Sequence, residues 1–157
     1  MRVALHVLKE LFGSVTVPPA VFDEVTKKRD SACGRIRDCA WIRVEPIAGR
    51  LDQSMYRSRL HAGEMEVIAL ARQAENPLLV MDDRAAKEMA ELLELPVVGT
   101  LGILLNAKEK GVLPAVKPAL DRIVANGFYI DDALYELVLN RAGEAPTVDS
   151  DGYERRT

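Results

Sequence analysis

Helix-like and strand-like apolar patterns alternate along the first part of the chain. The spacing of apolar residues predicts a helix over 3–12, which Gly13 can end in the left-handed conformation. Residues 15–17 then predict a short strand. Pro18 and Pro19 suit the start of a second helix, because the first amides of a helix have no partner within it. The pattern therefore begins as helix, strand and helix.

The middle of the chain continues the alternation. Residues 41–47 are rich in β-forming residues and predict a strand, whereas 63–71 have the spacing of a helix. Residues 78–81 form a continuous apolar run, which is typical of a parallel strand covered on both faces. Asp82 and Asp83 follow this run directly. An acidic pair is thus predicted at the end of a buried strand.

The remaining pattern completes an α/β domain. It predicts helices over 85–95, 101–110, 116–125 and 132–141, a buried strand over 96–99 and an edge strand over 128–130. Such alternation favours a parallel sheet with helices on both faces. Because 157 residues leave room for one core, we expect one domain over 1–143. Polar residues with Pro146 and Gly152 predict a disordered tail over 144–157.

The charge distribution points to a nucleic-acid partner. The net charge is −3, but residues 27–60 contain nine basic and four acidic residues, a net +5 that leaves −8 for the rest. A basic stretch of this kind can guide a phosphate backbone, although a solvated surface explains it equally well. The residues expected to contact nucleic acid are Lys27, Lys28, Arg35, Arg57 and Arg59.

Composition and motifs exclude several other classes. Two cysteines outside any CxxC spacing indicate a reducing, cytoplasmic address rather than a disulfide scaffold. We find no signal peptide and no apolar run long enough to span a bilayer, so we expect no membrane function. Neither a glycine-rich nucleotide loop nor zinc-ligand spacing is present. Carboxylates are therefore the remaining candidates for catalytic or metal-binding groups.

Four acidic residues are placed where a metal site would form. Asp82 and Asp83 end a strand, Glu64 opens a helix, and Glu24 lies in the helix that follows 15–17. Ligands of open parallel sheets bind beyond the carboxyl ends of the strands, and hard oxygen ligands favour Mg²⁺ or Mn²⁺. The alternative is structural, since acids at helix starts are ordinarily caps or dipole partners.

These segments carry a family resemblance. In order they read VPPAVFDEV (17–25), LHAGEMEVIALA (60–71) and LVMDDRAA (79–86), followed by VGTLGILL (98–105) and AKEKG (107–111). The combination resembles the PIN-domain nuclease superfamily and, more narrowly, a prokaryotic PIN-like subgroup. The resemblance implies a three-layer α/β/α fold and metal-dependent RNA cleavage, often by the toxin of a VapC-type toxin-antitoxin pair.

The resemblance also assigns roles to the acids. Glu24 matches the second acidic residue of the family, Glu64 the third, and Asp82 or Asp83 the fourth. They would be catalytic ligands of Mg²⁺ or Mn²⁺. RNA, an antitoxin protein and a second copy of the chain in a homodimer are the implied partners.

One feature of the family pattern is missing. PIN domains begin with a strand that ends in an aspartate, whereas this chain begins with the helix that should follow it. Either the true start lies upstream, or the protein is a degenerate member. Loss of one ligand weakens metal binding, and loss of an interior strand leaves unpaired edges and an apolar slot.

Two other functions remain open beside the nuclease. The first is a non-catalytic interaction module that binds an antitoxin-like peptide or another copy of itself. The second is a phospho-acceptor receiver domain, which also uses acids at strand ends. It ranks below the others, because Thr100 and Lys108 occur in the wrong order for its usual strand spacing.

Overall fold

A computed structural model of the protein describes residues 2–27, 36–49 and 60–144. Helices alternate with short parallel strands in these ranges, which confirms the predicted α/β class. In chain order the elements are α1 (Arg2–Phe12), β1 (Val15–Val17), α2 (Pro19–Lys27), β2 (Ile42–Val44), α3 (Ala62–Ala71), β3 (Leu79–Val80), α4 (Arg84–Leu92), β4 (Val97–Val98), α5 (Thr100–Glu109), α6 (Lys117–Ala125) and α7 (Asp132–Arg141).

The predicted start and stop signals of the first helices are confirmed. Gly13 has a φ of +70° and its amide donates to the carbonyl of Lys9 at 2.8 Å, so it ends α1 in the left-handed conformation. Pro19 is the first residue of α2. Pro18 is fully buried, and its carbonyl accepts from the amide of Phe22 at 3.1 Å. Local sequence chemistry therefore fixes both helix boundaries.

Four strand predictions need correction. The strands expected over 78–81 and 96–99 span only Leu79–Val80 and Val97–Val98. The strand expected over 41–47 is shorter and spans Ile42–Val44. The edge strand expected over 128–130 is wrong, because these residues form no strand. Gly127 is left-handed with a φ of +94°, and the amide of Phe128 bonds back to the carbonyl of Ile123 at 3.1 Å. Residues 127–128 therefore form the C-terminal turn of α6, and residues 128–130 do not pair with another strand.

The strands within the described ranges form two separate parallel pairs. β1 pairs with β2, with Thr16 opposite Arg43, and β3 pairs with β4, with Val80 opposite Val98. β3 is covered less completely than its apolar sequence predicts. Leu79 and the next residue after the strand, Met81, are buried, whereas Val80 and the preceding Leu78 are 40% and 47% exposed.

Two clusters of buried side chains hold the domain together. The larger surrounds α5 and includes Val7, Leu104, Val116, Leu120 and Val138. The smaller joins α3, α4 and β3 through Ile68, Leu79, Met81, Ala86 and Ala90. In addition, α1 packs against α5, and α2 packs against α3. None of the helices in the described ranges is long and apolar enough to cross a bilayer.

Glu144, at the end of the described chain, forms hydrogen bonds with residues of and next to the larger core cluster. Its Oε1 accepts from Lys108 Nζ and from the amide of Val116, both at 2.6 Å, and its Oε2 accepts from the amide of Lys117 at 2.8 Å. Burial tends to raise the pKa of Glu144, but these hydrogen bonds outweigh burial and lower it. Glu144 is thus part of the fold. The rest of the predicted tail, 145–157, lies outside the described residues.

Candidate carboxylate site

Asp82 lies where the parallel strands β3 and β4 end side by side. Its Oδ1 accepts from the amide of Thr100 at 2.8 Å, and its Oδ2 accepts from the hydroxyl of Thr100 at 2.5 Å. The residue that precedes α5, Gly99, has no side chain to cap the helix. The carboxylate of Asp82 therefore supplies this cap from the neighbouring strand.

A lysine and a glycine complete the surroundings of Asp82. Lys87 Nζ lies 4.0 Å from Asp82 Oδ1. A Cβ on Gly99 would lie 2.7 Å from Lys87 Nζ and 3.0 Å from Asp82 Oδ1. Both side chains therefore lie close to the backbone at position 99, where a Cβ would displace the flexible end of Lys87 and press against Asp82 Oδ1.

Asp83 has a structural role at the next helix. It is the N-cap residue of α4, and its Oδ1 accepts from the amide of Ala86 at 2.9 Å. This is the capping role that the sequence offered as the alternative to metal binding. The two neighbouring aspartates thus cap two different helices, α5 and α4.

Two glutamates of α3 also bond to backbone amides at helix starts. Glu64 Oε2 accepts from the amide of His61, the N-cap residue of its own helix, at 3.0 Å. Glu66 Oε2 accepts from the amide of Ala20, in the first turn of α2, at 3.3 Å. Glu66 therefore links α3 to α2.

Glu24 approaches the start of α3 across the contact between the two helices. A Cβ on Gly63 would lie 3.2 Å from Val21 Cγ2 and 4.0 Å from Glu24 Oε2. Glu24 is exposed and makes no hydrogen bond or ion pair within the ranges that the structure covers. The structure thus brings Glu24 next to the segment that carries Glu64.

Comparison with known families shows the family of the chain. Residues 2–144 match the DUF3368 family, described as a PIN domain. The chain belongs to this family of PIN domains. PIN domains are generally nucleases and generally use divalent metals such as Mg²⁺. Comparison with curated proteins and with solved structures found no significant match.

The donor set of this PIN domain does not by itself fit a divalent ion. Mg²⁺ and Mn²⁺ prefer several converging oxygens. Among residues 2–27, 36–49 and 60–144, no group of three or more acidic, histidine or cysteine side chains could hold a metal ion. Asp82, Asp83 and Glu64 each direct oxygens to backbone amides instead. Their roles as metal ligands, with that of Glu24, stay predictions.

Sequence reasoning did not single out Thr100 and Lys87 as neighbours of Asp82. Thr100 could have been found from its position. It follows Gly99 at the end of a predicted strand, where the next helix starts without a capping side chain of its own. No such signal marks Lys87, whose approach depends on the packing of α4.

The predicted basic approach to nucleic acid falls mostly outside the described ranges of the PIN domain. Lys28, Arg35, Arg57 and Arg59 belong to that undescribed part. Lys27 is exposed, and its Nζ lies 3.8 Å from Asp23 Oδ2. The nucleic-acid contacts therefore stay predictions.

Proposed function

We propose that this PIN domain is a ribonuclease that depends on Mg²⁺ or Mn²⁺ and needs one further acidic side chain to complete its carboxylate site. The observation that carries the proposal is the meeting of Glu24 with the start of α3, one residue from Glu64. These carboxylates belong to separate segments of the chain, and a binding site requires them to meet. Asp82 lies in a third segment, at the carboxyl end of β3, and within the described residues it does not form one metal-binding group with Glu24 and Glu64.

The open side of β3 supports an additional strand as the source of the further acid. The amides of Leu79 and Met81 donate to Pro96 and Val98 of the β4 segment at 2.9 and 3.0 Å. The N–H and C=O of Val80 therefore point to the opposite edge, where the described residues provide no strand. An apolar strand there would also cover Leu78 and Val80.

We assign the protein to the toxin side of a VapC-type pair in the cytoplasm. The support is the narrower family resemblance of the ordered acidic segments. An antitoxin protein is the corresponding partner, and an extended peptide suits the open edge of β3 because strand edges bind other strands. Within this proposal RNA is the substrate that the family resemblance implies, and the +5 charge of the segment over 27–60 suits a phosphate backbone.

Cleavage of single-stranded and structured RNA in Mn²⁺ tests the nuclease. Two proteins are compared, this chain and the same chain with an N-terminal strand that ends in aspartate. We expect more cleavage by the extended chain and its loss in Glu64→Gln. Glu91→Gln, an exposed glutamate of α4, is the control and should cleave normally. Equal cleavage by the extended chain and its Glu64→Gln variant would reject the proposal.

A second candidate, a non-catalytic interaction module, is favoured by the capping roles of Asp83 and Glu64. Carboxylates that satisfy helix amides stabilise the fold without any metal. Calorimetric titration with Mn²⁺ distinguishes the candidates. Micromolar binding by the extended chain that is lost in Glu64→Gln supports the nuclease. Absence of binding together with absence of cleavage supports the module.

A further inference from the structure

A positively charged side chain, Lys87, lies next to Asp82 at the carboxyl ends of β3 and β4. It belongs to α4, and the side chains of Lys87 and Asp82 are 34% and 44% exposed. Its Nζ lies within 2.7 Å of the point that a Cβ on Gly99 would occupy. The packing of α4 against β4 therefore holds this ammonium group at the edge where open parallel sheets bind their ligands.

The ion pair of Lys87 with Asp82 is looser than others in the domain. Three other pairs have N–O distances of 2.6 to 2.8 Å, namely Arg84 with Glu88, Lys108 with Glu144, and Lys117 with Asp121. Lys87 Nζ is 4.0 Å from Asp82 Oδ1, which is too far for a hydrogen bond. Both oxygens of Asp82 already accept from Thr100. Within the described ranges, Lys87 Nζ thus has no hydrogen-bond acceptor.

The ammonium group of Lys87 is therefore available to a ligand. It carries three N–H donors and no acceptor, and about two thirds of the side chain is withdrawn from water. An acceptor that reaches Nζ replaces hydration that the packing of α4 removes. Phosphate oxygens are acceptors that lysine binds as a point charge. Since PIN domains are generally nucleases, a phosphodiester is the substrate group expected at this edge.

We propose that Lys87 contacts a phosphate of the RNA backbone beside Asp82. The inference rests on the proposed ribonuclease function and adds a substrate-binding residue to it. The partly exposed carboxylate of Asp82 by itself repels a phosphodiester. Lys87 offsets this charge, and its N–H groups donate to a non-bridging phosphate oxygen. Lys87 thus positions the backbone next to Asp82 and does not read the base sequence.

The salt dependence of RNA binding tests this contact without cleavage. The chain is titrated into a short, fluorescent, single-stranded RNA in EDTA, and anisotropy gives the association constant at several KCl concentrations. Each lysine–phosphate contact contributes about 0.7 to the slope of log association constant against log salt concentration for a single strand. Lys87→Met should weaken binding and make this slope less steep by about 0.7. The effect should be the same for RNAs of different base sequence.

Two further variants separate a phosphate contact from a general effect of charge. Lys110→Met removes the same charge from an exposed lysine at the far end of α5 and should leave the slope unchanged. Lys87→Arg keeps the charge and should keep the slope. Circular dichroism and urea unfolding establish that each variant is folded. If Lys87 only balances Asp82 within the fold, Lys87→Met lowers the free energy of unfolding and leaves the slope unchanged.

Several results overturn the inference. One is a wild-type chain that does not bind RNA at several hundred micromolar. Another is a slope in Lys87→Met equal to that of the wild type or of Lys110→Met. Failure of the nuclease proposal is a different result, because it is judged by cleavage in the extended chain and its Glu64→Gln variant. RNA binding that depends on Lys87, without cleavage by the extended chain, would reject the nuclease and retain the phosphate contact.

Discussion

Thr100 donates both its backbone amide and its hydroxyl to the two carboxylate oxygens of Asp82, at 2.8 and 2.5 Å. The contact joins the end of β3 to the start of α5, 18 residues further along the chain. It gives α5 a cap that its own N-cap residue cannot provide. The oxygens that cap α5 are also those expected to bind metal, so the two roles compete for one carboxylate.

Removal of the Thr100 hydroxyl should weaken this cap. In Thr100→Val the amide bond remains, but Asp82 Oδ2 loses its donor. We expect the free energy of unfolding to fall by about 1 kcal/mol, because Asp82 is partly exposed and water replaces part of the bond. Thr100→Ser should retain most of the stability. Urea unfolding measures both, and a Thr100→Val protein as stable as the wild type would show that the hydroxyl contributes nothing.

Gly99→Ala should destabilise the protein through its two close neighbours. The new Cβ would lie 2.7 Å from Lys87 Nζ and 3.0 Å from Asp82 Oδ1. Moving Asp82 disturbs the cap of α5, so we expect a loss of about 1 to 2 kcal/mol. Adding Lys87→Ala removes one of the clashes. The double variant should therefore lose less stability than the sum of the single variants. Strict additivity in urea unfolding would contradict this explanation.

Glu144→Gln should loosen the end of the domain. The substitution removes the negative charge beside Lys108. Because glutamine has one side-chain oxygen, it can keep either the two contacts of Oε1 or the one contact of Oε2, but not all three. We expect a loss of about 2 kcal/mol, typical of hydrogen bonds to charged groups. Glu109→Gln, on an exposed residue beside Lys108, is the control and should change stability little. Thermal unfolding of both variants makes the comparison.

The same residue predicts a dependence of stability on pH. The folded-state pKa of Glu144 lies below its ordinary value of 4.5. Its contribution is therefore complete above pH 4.5 and is lost as the pH falls through the folded-state pKa. In urea unfolding at a series of acidic pH values, Glu144→Gln should lose less stability on acidification than the wild type. If the free energy of unfolding falls equally with pH in both proteins, Glu144 is not the group responsible for the acid sensitivity.

Most helices were predictable because their signals are local. Gly13, Pro19 and Asp131 each mark a helix boundary by the chemistry of one position. The edge strand over 128–130 was predicted from its β-forming residues alone. That prediction failed because Gly127 turns the chain, so that the amide of Phe128 bonds back to α6. The strand propensities of individual residues do not predict a hydrogen bond of this kind back to the preceding helix.

The candidate site was less predictable because its contacts join distant segments. Position in the pattern was enough to single out Glu24 and Glu64 and to offer capping for Asp83. The pairing of Asp82 with Thr100 depends on the register of β3 with β4, which aligns Val80 with Val98. The close packing of α2 on α3 depends on Gly63, where a Cβ would lie 3.2 Å from Val21 Cγ2. Both facts arise only when the elements pack.

The segment β3, α4 and β4 closes within a short continuous stretch of chain, Leu79 to Val98. Its contacts therefore require little loop-closure entropy, whereas α1 must return to α5 across most of the domain. Proteins fold fastest where contacts are local. We therefore expect this segment to form early in folding, and the cap of Asp82 on Thr100 joins it to α5, the helix that follows it in the chain.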